Sequence, residues 1–295
     1  AAPTANSGKF KDWGFEGSIN YNGKIGEVQY HVGGNITFAR NELTDYGGTS
    51  VLKSGYTSTQ QGYSLNSIFG LRYGGKIQNE EMLKAYLAKY YPNNGIGMPS
   101  NLRVGDNMYC DENGDGVLDY RDYIYLGSDT PEISYSFNAG ASWKGIDFNI
   151  VFQGSANRFV YRGIDAWTVP FRSLYTNSTT SSIGNTWSET NPNAYYNPYT
   201  TDANIVSYNY QANSLTAQDG RYIRLKNITV GYNLPASVLK KLGFVNAARI
   251  YFTGEDLWES TKITDGWDPE AKRKASDVSR YPFTRNFTFG LNLTF

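Results

Sequence analysis

The end of the chain shows the clearest alternation of hydrophobic and polar residues. From Phe283 to Phe295 large apolar residues occupy every second position, interrupted only at Arg285, and small polar residues fill the positions between them. A period of two is typical of a β-strand. A strand needs about 9 to 11 residues to cross a membrane. The pattern therefore predicts a strand over 281–295 that is long enough to do so.

Six more segments alternate in the same way, at 10–22, 28–39, 133–143, 146–153, 222–234 and 248–258. The phase slips between Leu225 and Ile228, which predicts a β-bulge. Asn22-Gly23 and Lys144-Gly145 are dipeptides typical of tight turns. The sequence thus predicts seven long antiparallel strands.

The connections between these strands alternate in length. Those at 23–27, 144–145 and 235–247 are short, with a helical turn at 235–243, whereas those at 40–130, 155–220 and 259–280 are long. Helical spacing predicts a short helix at 79–90 within the first long connection. We expect that connection to have no core of its own and to be a functional loop. Outer-membrane barrels have short periplasmic turns and long extracellular loops, so the pattern predicts a periplasmic C-terminus.

Composition decides between a soluble sheet and a membrane sheet. The polar face of each strand is mostly Ser, Asn, Thr, Gln and Gly, which suits a crowded wet lumen better than an ordinary solvent face. Aromatic residues collect near the strand ends, as in interfacial girdles. Examples are Trp13, Trp258 and Phe283 toward the loops and Trp143 and Phe295 toward the turns. The prediction is an all-β fold, a transmembrane antiparallel β-barrel segment with long extracellular loops that contacts outer-membrane lipid.

Charge, hydropathy and cysteine content exclude other classes. The 27 basic and 27 acidic residues give no net charge, so there is no electrostatic case for a nucleic-acid partner. Mean hydropathy is −0.51, and no apolar run approaches the roughly 18 residues of a membrane helix. The single cysteine, Cys110, cannot form an internal disulfide. Seven strands cannot close in lipid without leaving backbone groups unsatisfied, so we expect other strands from elsewhere to complete the barrel.

The order of several short motifs resembles the SusC/RagA family of TonB-dependent outer-membrane transporters, specifically its C-terminal third. The motifs are Asn41-Glu42-Leu43, Gly62-Tyr63-Ser64, Ile68-Phe69-Gly70, Asp111-Glu112-Asn113-Gly114-Asp115-Gly116, Tyr125-Leu126-Gly127-Ser128, Phe152-Gln153-Gly154-Ser155, the run from Tyr222 to Pro235, Asp268-Pro269-Glu270 and the terminal Phe295. Each motif is weak alone, and the resemblance spans nearly the whole chain.

The resemblance implies a 22-stranded barrel of which residues 1–295 form about the last seven strands. It also implies a plug and N-terminal strands outside this chain, a SusD-like lipoprotein lid, and energy from the TonB complex. The function implied is active import of oligosaccharides or oligopeptides, without enzymatic chemistry. The alternatives are a passive porin or adhesin barrel and a soluble calcium-dependent glycan-binding β-protein.

An acidic segment at 111–122 fits the twelve-position EF-hand loop. Its expected calcium ligands are Asp111, Asn113, Asp115, Val117 (through its carbonyl), Asp119 and Asp122. Asp122 departs from the usual Glu, and no helix precedes the loop. Four carboxylates repel each other unless a cation neutralises them, which favours structural Ca²⁺ over a solvated turn.

The second long loop is rich in aromatic residues that could contact cargo. These are Trp167, Tyr175, Trp187, Tyr195, Tyr196 and Tyr199. Aromatic rings with polar tips suit sugars or peptides. The alternative is that they pack the loop onto itself or onto a lid. His31, the only histidine, is interpreted as one more polar lumen residue, and Lys272-Arg273-Lys274 as a solvated charge run.

Overall fold

The computed structural model describes residues 8–45, 47, 51–54, 57–65, 67–161, 178, 180–264, 268–270 and 283–295. Its strands are β1 (Lys9–Ile25), β2 (Val28–Asp45), β3 (Val51–Ser54), β4 (Thr57–Gln60), β5 (Ser67–Gly70), β6 (Tyr73–Lys76), β7 (Asn107–Tyr109), β8 (Ile124–Ser128), β9 (Ile133–Trp143), β10 (Ile146–Ala156), β11 (Phe159–Tyr161), β12 (Ala217–Asp219), β13 (Tyr222–Asn233), β14 (Ala247–Thr261) and β15 (Asn286–Thr294). Its α-helices are α1 (Glu80–Tyr90), α2 (Ala203–Asn209) and α3 (Ala236–Leu242). Within these residues no helix has the length and apolar character needed to cross a membrane.

One large antiparallel sheet organises the fold. Its order is β1-β2-β9-β10-β13-β14-β15, so each long strand pairs with the long strand that follows it in the chain. All seven predicted strands are present. Within the described residues, β1 and β15 each pair on one side only. The architecture is therefore that of part of an up-and-down barrel wall.

The apolar and polar residues separate onto opposite faces of this sheet. Cross-strand partners keep the same phase, as in Phe15 with Phe38 and Phe252 with Phe289. We call the side carrying these pairs the apolar face and the other side the polar face. Many large side chains on the apolar face are exposed, from 37% for Phe148 to 81% for Phe289, and others such as Phe38 and Phe252 are partly exposed. No second sheet buries this face among the described residues, contrary to what a soluble sandwich would require.

One predicted turn is wrong. Asn22 and Gly23 lie within the β1–β2 ladder, opposite His31 and Tyr30, and the chain reverses at Gly26, whose φ is +60°. A Cβ added at Gly23 would lie 2.4 Å from the ring of Tyr30. The glycine therefore makes room for an aromatic neighbour on the sheet. The turn predicted at Lys144-Gly145 is confirmed, with positive φ at both residues.

The other strand boundaries differ in two informative ways. β2 continues to Asp45, well beyond the predicted end at residue 39. β15 begins at Asn286 and not at 281, and its nine residues still match the length of a spanning strand. The predicted bulge in β13 is confirmed, since the pairing with β14 shifts between Leu225 and Asn227.

The first two long connections pack together into what we call the loop module, the described residues of 57–128 and 180–219. Two backbone hydrogen bonds of Leu71 join the connections: its N–H donates to the Ala212 carbonyl at 3.0 Å, and its carbonyl accepts from the Ser214 N–H at 3.0 Å. Its largest core cluster is drawn from both connections. The members are Leu71, Ile77, Leu83, Tyr86, Tyr90, Met98, Leu102, Tyr109, Leu118 and Tyr208.

The expectation that the first connection has no core is therefore wrong. The predicted helix at 79–90 is present as α1, with Asn79 as its N-cap accepting from the Met82 N–H at 2.8 Å. α1 buries Leu83, Tyr86 and Tyr90. Tyr208, which completes this core, lies more than a hundred residues further along the chain, so local periodicity could not reveal the pairing.

Candidate functional site

The loop module and the third long connection lie at one end of the large sheet, where β2, β10 and β14 end. The opposite end carries only the short connections, at Gly26-Glu27, Lys144-Gly145 and 234–246. Strictly sequential antiparallel pairing puts alternate connections at alternate ends. All the long segments therefore gather over one mouth of the sheet, and this mouth is the candidate functional region.

A buried polar network joins the two connections within the loop module. Asn209 on α2 donates to Asp106 Oδ1 at 2.8 Å and accepts from the Asn107 N–H at 2.8 Å. Asn197 donates to Asn107 Oδ1 at 2.8 Å, and Lys76 Nζ donates to the same oxygen at 3.3 Å. Because almost every member is buried and paired, the network fixes how the two connections meet.

Burial perturbs the ionisable groups of this network. It lowers the pKa of Lys76 to about 8, an effect that the charge of Asp106 opposes. It raises the pKa of Asp106, although hydrogen bonds from Asn209 and the Arg103 backbone act against it. Burial also raises the pKa of Tyr86 to about 12. These shifts come from desolvation in a packed core.

Three of the predicted cargo-contacting aromatics are part of the packing of the loop module. Tyr196 is 3% exposed and belongs to a cluster with Val206 and Tyr210, against which Tyr195 packs. Trp187 and Tyr195 are partly buried, and the backbone N–H of Trp187 donates to the Tyr196 carbonyl at 2.9 Å. This arrangement favours the packing alternative for Tyr196. Tyr199 is exposed, and Trp167 and Tyr175 lie outside the described residues.

The acidic segment is held by its own backbone and by an arginine. Asp111 accepts from the Gly114 and Gly116 N–H groups at 2.7 and 2.9 Å. Asn113 Nδ2 lies 3.2 Å from Asp115 Oδ2, so these two side chains are adjacent. Arg121 forms ion pairs at 2.9 Å with both Asp115 and Asp119. Part of the carboxylate repulsion that calcium was expected to relieve is therefore relieved by this arginine.

Asp122 has a structural position. It is fully buried, and its two oxygens accept from the N–H groups of Glu112, Asn113 and Asp119 at 3.0, 3.4 and 2.8 Å. Val117 donates its N–H to Asp115 at 2.9 Å. Across the described part of the chain, no three or more His, Cys, Asp or Glu residues are grouped so that they could hold a metal ion. The residues thus fit a calcium site incompletely.

A charge cluster at the mouth was not found from the sequence. Arg224 on β13 is fully buried and forms ion pairs with Glu259, with Asp268 at 2.7 Å and with Glu270 at 2.9 Å. Lys226 contacts Asp256 at 3.0 Å and Glu270 at 3.1 Å. The cluster ties the third long connection to the wall. Arg224 and Lys226 are two residues apart on β13 and so share a face, but their carboxylate partners lie more than 29 residues further along the chain and could not be identified from spacing.

Phe283 belongs to this cluster and not to an interfacial girdle. The guanidinium carbon of Arg224 lies 4.1 Å from the centroid of its ring. The prediction for Phe283 is therefore corrected, since its ring covers a buried cation. His31 lies on the polar face, 3.2 Å from Asn149 Oδ1, in keeping with its interpretation as a polar residue of that face. Residues 272–274 lie outside the described residues.

Comparison with known proteins identifies relatives over most of the chain, although no protein-family model matches it. The chain is 30% identical over 249 residues to TonB-dependent receptor P3 of Formosa agariphila, covering 80% of this chain and 23% of that receptor. It is 25% identical over 316 residues to the TonB-dependent receptor SusC of Bacteroides thetaiotaomicron, covering 100% of this chain and 27% of SusC. The chain thus spans about a quarter of the length of these relatives.

A solved structure shares the fold. The structure of the RagAB peptide transporter matches with a TM-score of 0.72 at 21% identity, covering 98% of this chain and 29% of that one. The resemblance to part of a SusC/RagA-type receptor is confirmed, as is the antiparallel barrel-segment fold. These relatives are receptors and transporters and not enzymes, which agrees with the predicted absence of enzymatic chemistry.

Proposed function

We propose that this chain forms seven strands of the wall, and the cell-surface loops, of a TonB-dependent active importer in the outer membrane. The strands cross the membrane repeatedly, the short connections face the periplasm together with the C-terminus, and the loop module faces the cell exterior. The cargo classes are oligosaccharides and oligopeptides.

The exposed apolar face is the observation that carries this proposal. Seven strands in unbroken sequential order present aromatic and aliphatic side chains that nothing in the described structure covers. This surface is far larger than the apolar patches that ordinary soluble proteins expose to water. In a bilayer it needs no cover, and the polar face then lines a wet lumen.

The unpaired edges of the sheet indicate that other parts of the importer must complete the barrel. The unpaired sides of β1 and β15 would leave backbone groups unsatisfied in lipid, so further strands must continue the wall on both sides. We propose that residues 1–295 form the C-terminal portion of a 22-stranded barrel. The remaining barrel and plug, a SusD-like surface lipoprotein and the TonB complex would then be its partners.

Cargo would be captured at the mouth where the long connections meet. The RagAB neighbour is described as a peptide transporter, which supports the peptide half of the proposal by analogy only. We propose that Tyr199, Trp187 and Tyr195, with Trp167 and Tyr175 from the same connection, contact cargo. Tyr196 would support them from the core.

Uptake in intact cells tests this function. Cells carrying the intact receptor are given fluorescent oligopeptides and oligosaccharides, with and without an uncoupler that collapses the proton-motive force. We expect uptake of one cargo class that stops on uncoupling and on deletion of the partner lipoprotein. Uptake that continues after uncoupling would indicate a passive porin, and surface binding without uptake an adhesin. A protein that stays in solution without detergent would indicate the soluble alternative.

We also propose that Ca²⁺ binds the acidic segment, with Asp111, Asn113, Asp115, the Val117 carbonyl, Asp119 and Asp122 as its ligands. The twelve-position spacing and the adjacent Asn113 and Asp115 side chains support this. Arg121 opposes it, because the arginine neutralises two of the ligands. Calcium would stiffen the loop module and take no part in transport chemistry.

Calcium binding is tested by calorimetry on the intact receptor. We expect a Ca²⁺-specific signal that Asp111→Asn removes and that Arg121→Gln strengthens, since the arginine competes with the ion. The same response to Mg²⁺, or none to either ion, would contradict the proposal.

A further inference from the structure

The short connection between β13 and β14 differs from the other two because it contains a helix and an exposed aromatic ring. Phe244, just after α3, is 70% exposed, and Phe295, just after β15, is 72% exposed. Their ring centroids lie 6.1 Å apart and the ring planes are only 4° from parallel. Two exposed rings thus stack on each other at the turn end of the sheet.

This surface continues the apolar face. Phe295 is in the same phase as Leu293, Leu291 and Phe289, and these residues lie opposite Ala248, Ile250 and Phe252. Because Phe244 stacks on Phe295, it extends the stripe of apolar side chains beyond the last ladder pair. If the apolar face contacts acyl chains, the two rings lie at the depth where aromatic residues meet lipid headgroups.

Two positive charges lie three and four residues before Phe244 in the chain. Lys240 and Lys241 are in the last turn of α3 and are exposed, as is Val238 at 40%. The segment 234–248 contains no Asp or Glu, and neither lysine has an ion-pair partner among the described residues. Arg249, the next cation, is paired with Asp147 at 2.6 Å. The two lysines therefore remain available for an external anion.

We propose that Val238, Lys240, Lys241, Phe244 and Phe295, here named the turn-end patch, bind anionic phospholipid in the leaflet beside the short connections. The rings and Val238 insert at the headgroup boundary, and the lysines contact lipid phosphates. This inference rests on the proposed membrane barrel and adds to it a selectivity for lipid charge. Continuity with the apolar face argues for lipid as the occupant, and the lysines argue for an anionic headgroup.

Native mass spectrometry of the intact receptor tests the proposal. The protein is purified in detergent containing equal amounts of dioleoyl phosphatidylglycerol and dioleoyl phosphatidylcholine, and the retained lipids are counted. We expect the wild type to retain phosphatidylglycerol in preference to phosphatidylcholine. In Lys240→Gln/Lys241→Gln the ratio of the two retained lipids should fall roughly tenfold. The control Lys84→Gln/Lys262→Gln removes the same charge at the opposite end of the sheet and should keep the preference. Phe244→Ala should reduce retention of both lipids.

The outcomes separate this inference from the proposed function. If the wild type shows no preference for phosphatidylglycerol, or if Lys240→Gln/Lys241→Gln keeps that preference, the turn-end patch does not bind anionic lipid. Neither result contradicts the proposed membrane barrel. Unchanged retention in Phe244→Ala overturns the role of the rings. A protein that dissolves without detergent overturns the membrane barrel itself. A dimer without bound lipid would mean that a second copy of the chain covers the patch, and would also overturn the proposal.

Discussion

The guanidinium of Arg224 is fully buried, yet three carboxylates surround it and an aromatic ring covers it. Two of those carboxylates, Asp268 and Glu270, belong to the third long connection. Removing the cation from a buried charge cluster strongly destabilises the fold, because the carboxylates that remain have no compensating charge. Arg224 is therefore a central contact between that connection and the wall, with Lys226 as a second one.

Replacing this arginine tests the attachment. Arg224→Met should lower the free energy of unfolding by about 3 kcal/mol and increase hydrogen exchange in the segment around 268–270. The matched control is Arg249→Met, which breaks a partly exposed pair with Asp147 alone and should cost about 1 kcal/mol or less. Equal losses in the two variants, measured by urea denaturation in detergent, would contradict this account.

Lys76 gives the loop module a pH dependence of definite sign. Its pKa is lowered from 10.5 to about 8, so between these values the unfolded form holds a proton that the folded form has released. Stability should rise as pH increases from about 8 toward 10.5, by about 3 kcal/mol at most. The pKa of Tyr86 is raised from 10.0 to about 12, so above pH 10 the unfolded form loses its proton first and stability should fall.

The measurement is hydrogen exchange of the loop module between pH 7 and 12, corrected for intrinsic rates. Protection should pass through a maximum near pH 10 and decline beyond it. Lys76→Met should remove the rising part, whereas Lys84→Met, on the exposed side of α1, should keep it. A rise that survives in Lys76→Met would show that another group is responsible.

The sequence predicted the position of the acidic segment but not the contacts of its side chains or the buried polar network. The acidic spacing of 111–122 was visible in the sequence, but the pairing of Arg121 with Asp115 and Asp119 was not. Buried polar residues such as Asp106 and Asn209 carry no periodic signal, since their burial is set by partners about a hundred residues away. Sequence spacing predicts which groups are near each other along the chain and not which groups meet across the fold.

At the scale of elements, β15 shows what alternation alone can establish. The phase of its residues was predictable to the last position, because one face must be apolar throughout. Its start was not, since Phe283 continues the alternation but packs on Arg224. Similarly, Asn22-Gly23 has the composition of a turn, and only the ring of Tyr30 explains why that glycine lies within a strand.

The two faces of β15 can be compared directly. Phe289→Arg places a charge on the apolar face and should cost about 2 to 4 kcal/mol if that face meets the middle of the bilayer. Thr288→Arg places the same side chain one residue away on the polar face and should be tolerated. The heat-modifiable, folded fraction in the outer membrane measures both. Equal folding of the two variants would contradict the assignment of the apolar face to lipid.

At the scale of the whole molecule, the described hydrophobic core clusters lie in the connections and not in the large sheet. The sheet keeps its apolar side chains outward, while the loop module buries its own. Asn209 joins the two connections by bonding both Asp106 and the Asn107 backbone. The loop module therefore behaves as one folding unit built from two distant segments.

Asn209→Ala tests whether the two connections fold as one unit. It leaves a buried carboxylate oxygen and a backbone N–H without this partner, which should destabilise the loop module by about 3 kcal/mol. Hydrogen exchange should increase together in 71–118 and in 182–215. Asn204→Ala, on the exposed side of the same helix, is the control and should change neither. Increased exchange in one segment alone would mean that the two connections fold separately.

The shared core of the first two long connections constrains how the sequence of the loop module can evolve. Tyr208 fills space among side chains of the first connection, so a residue gained or lost on one side changes the volume that the other must occupy. Length and bulk in the two segments are thus expected to vary in a correlated way among related receptors. The described part of the third connection contributes no side chain to this core cluster, so its sequence is expected to vary more independently of the other two.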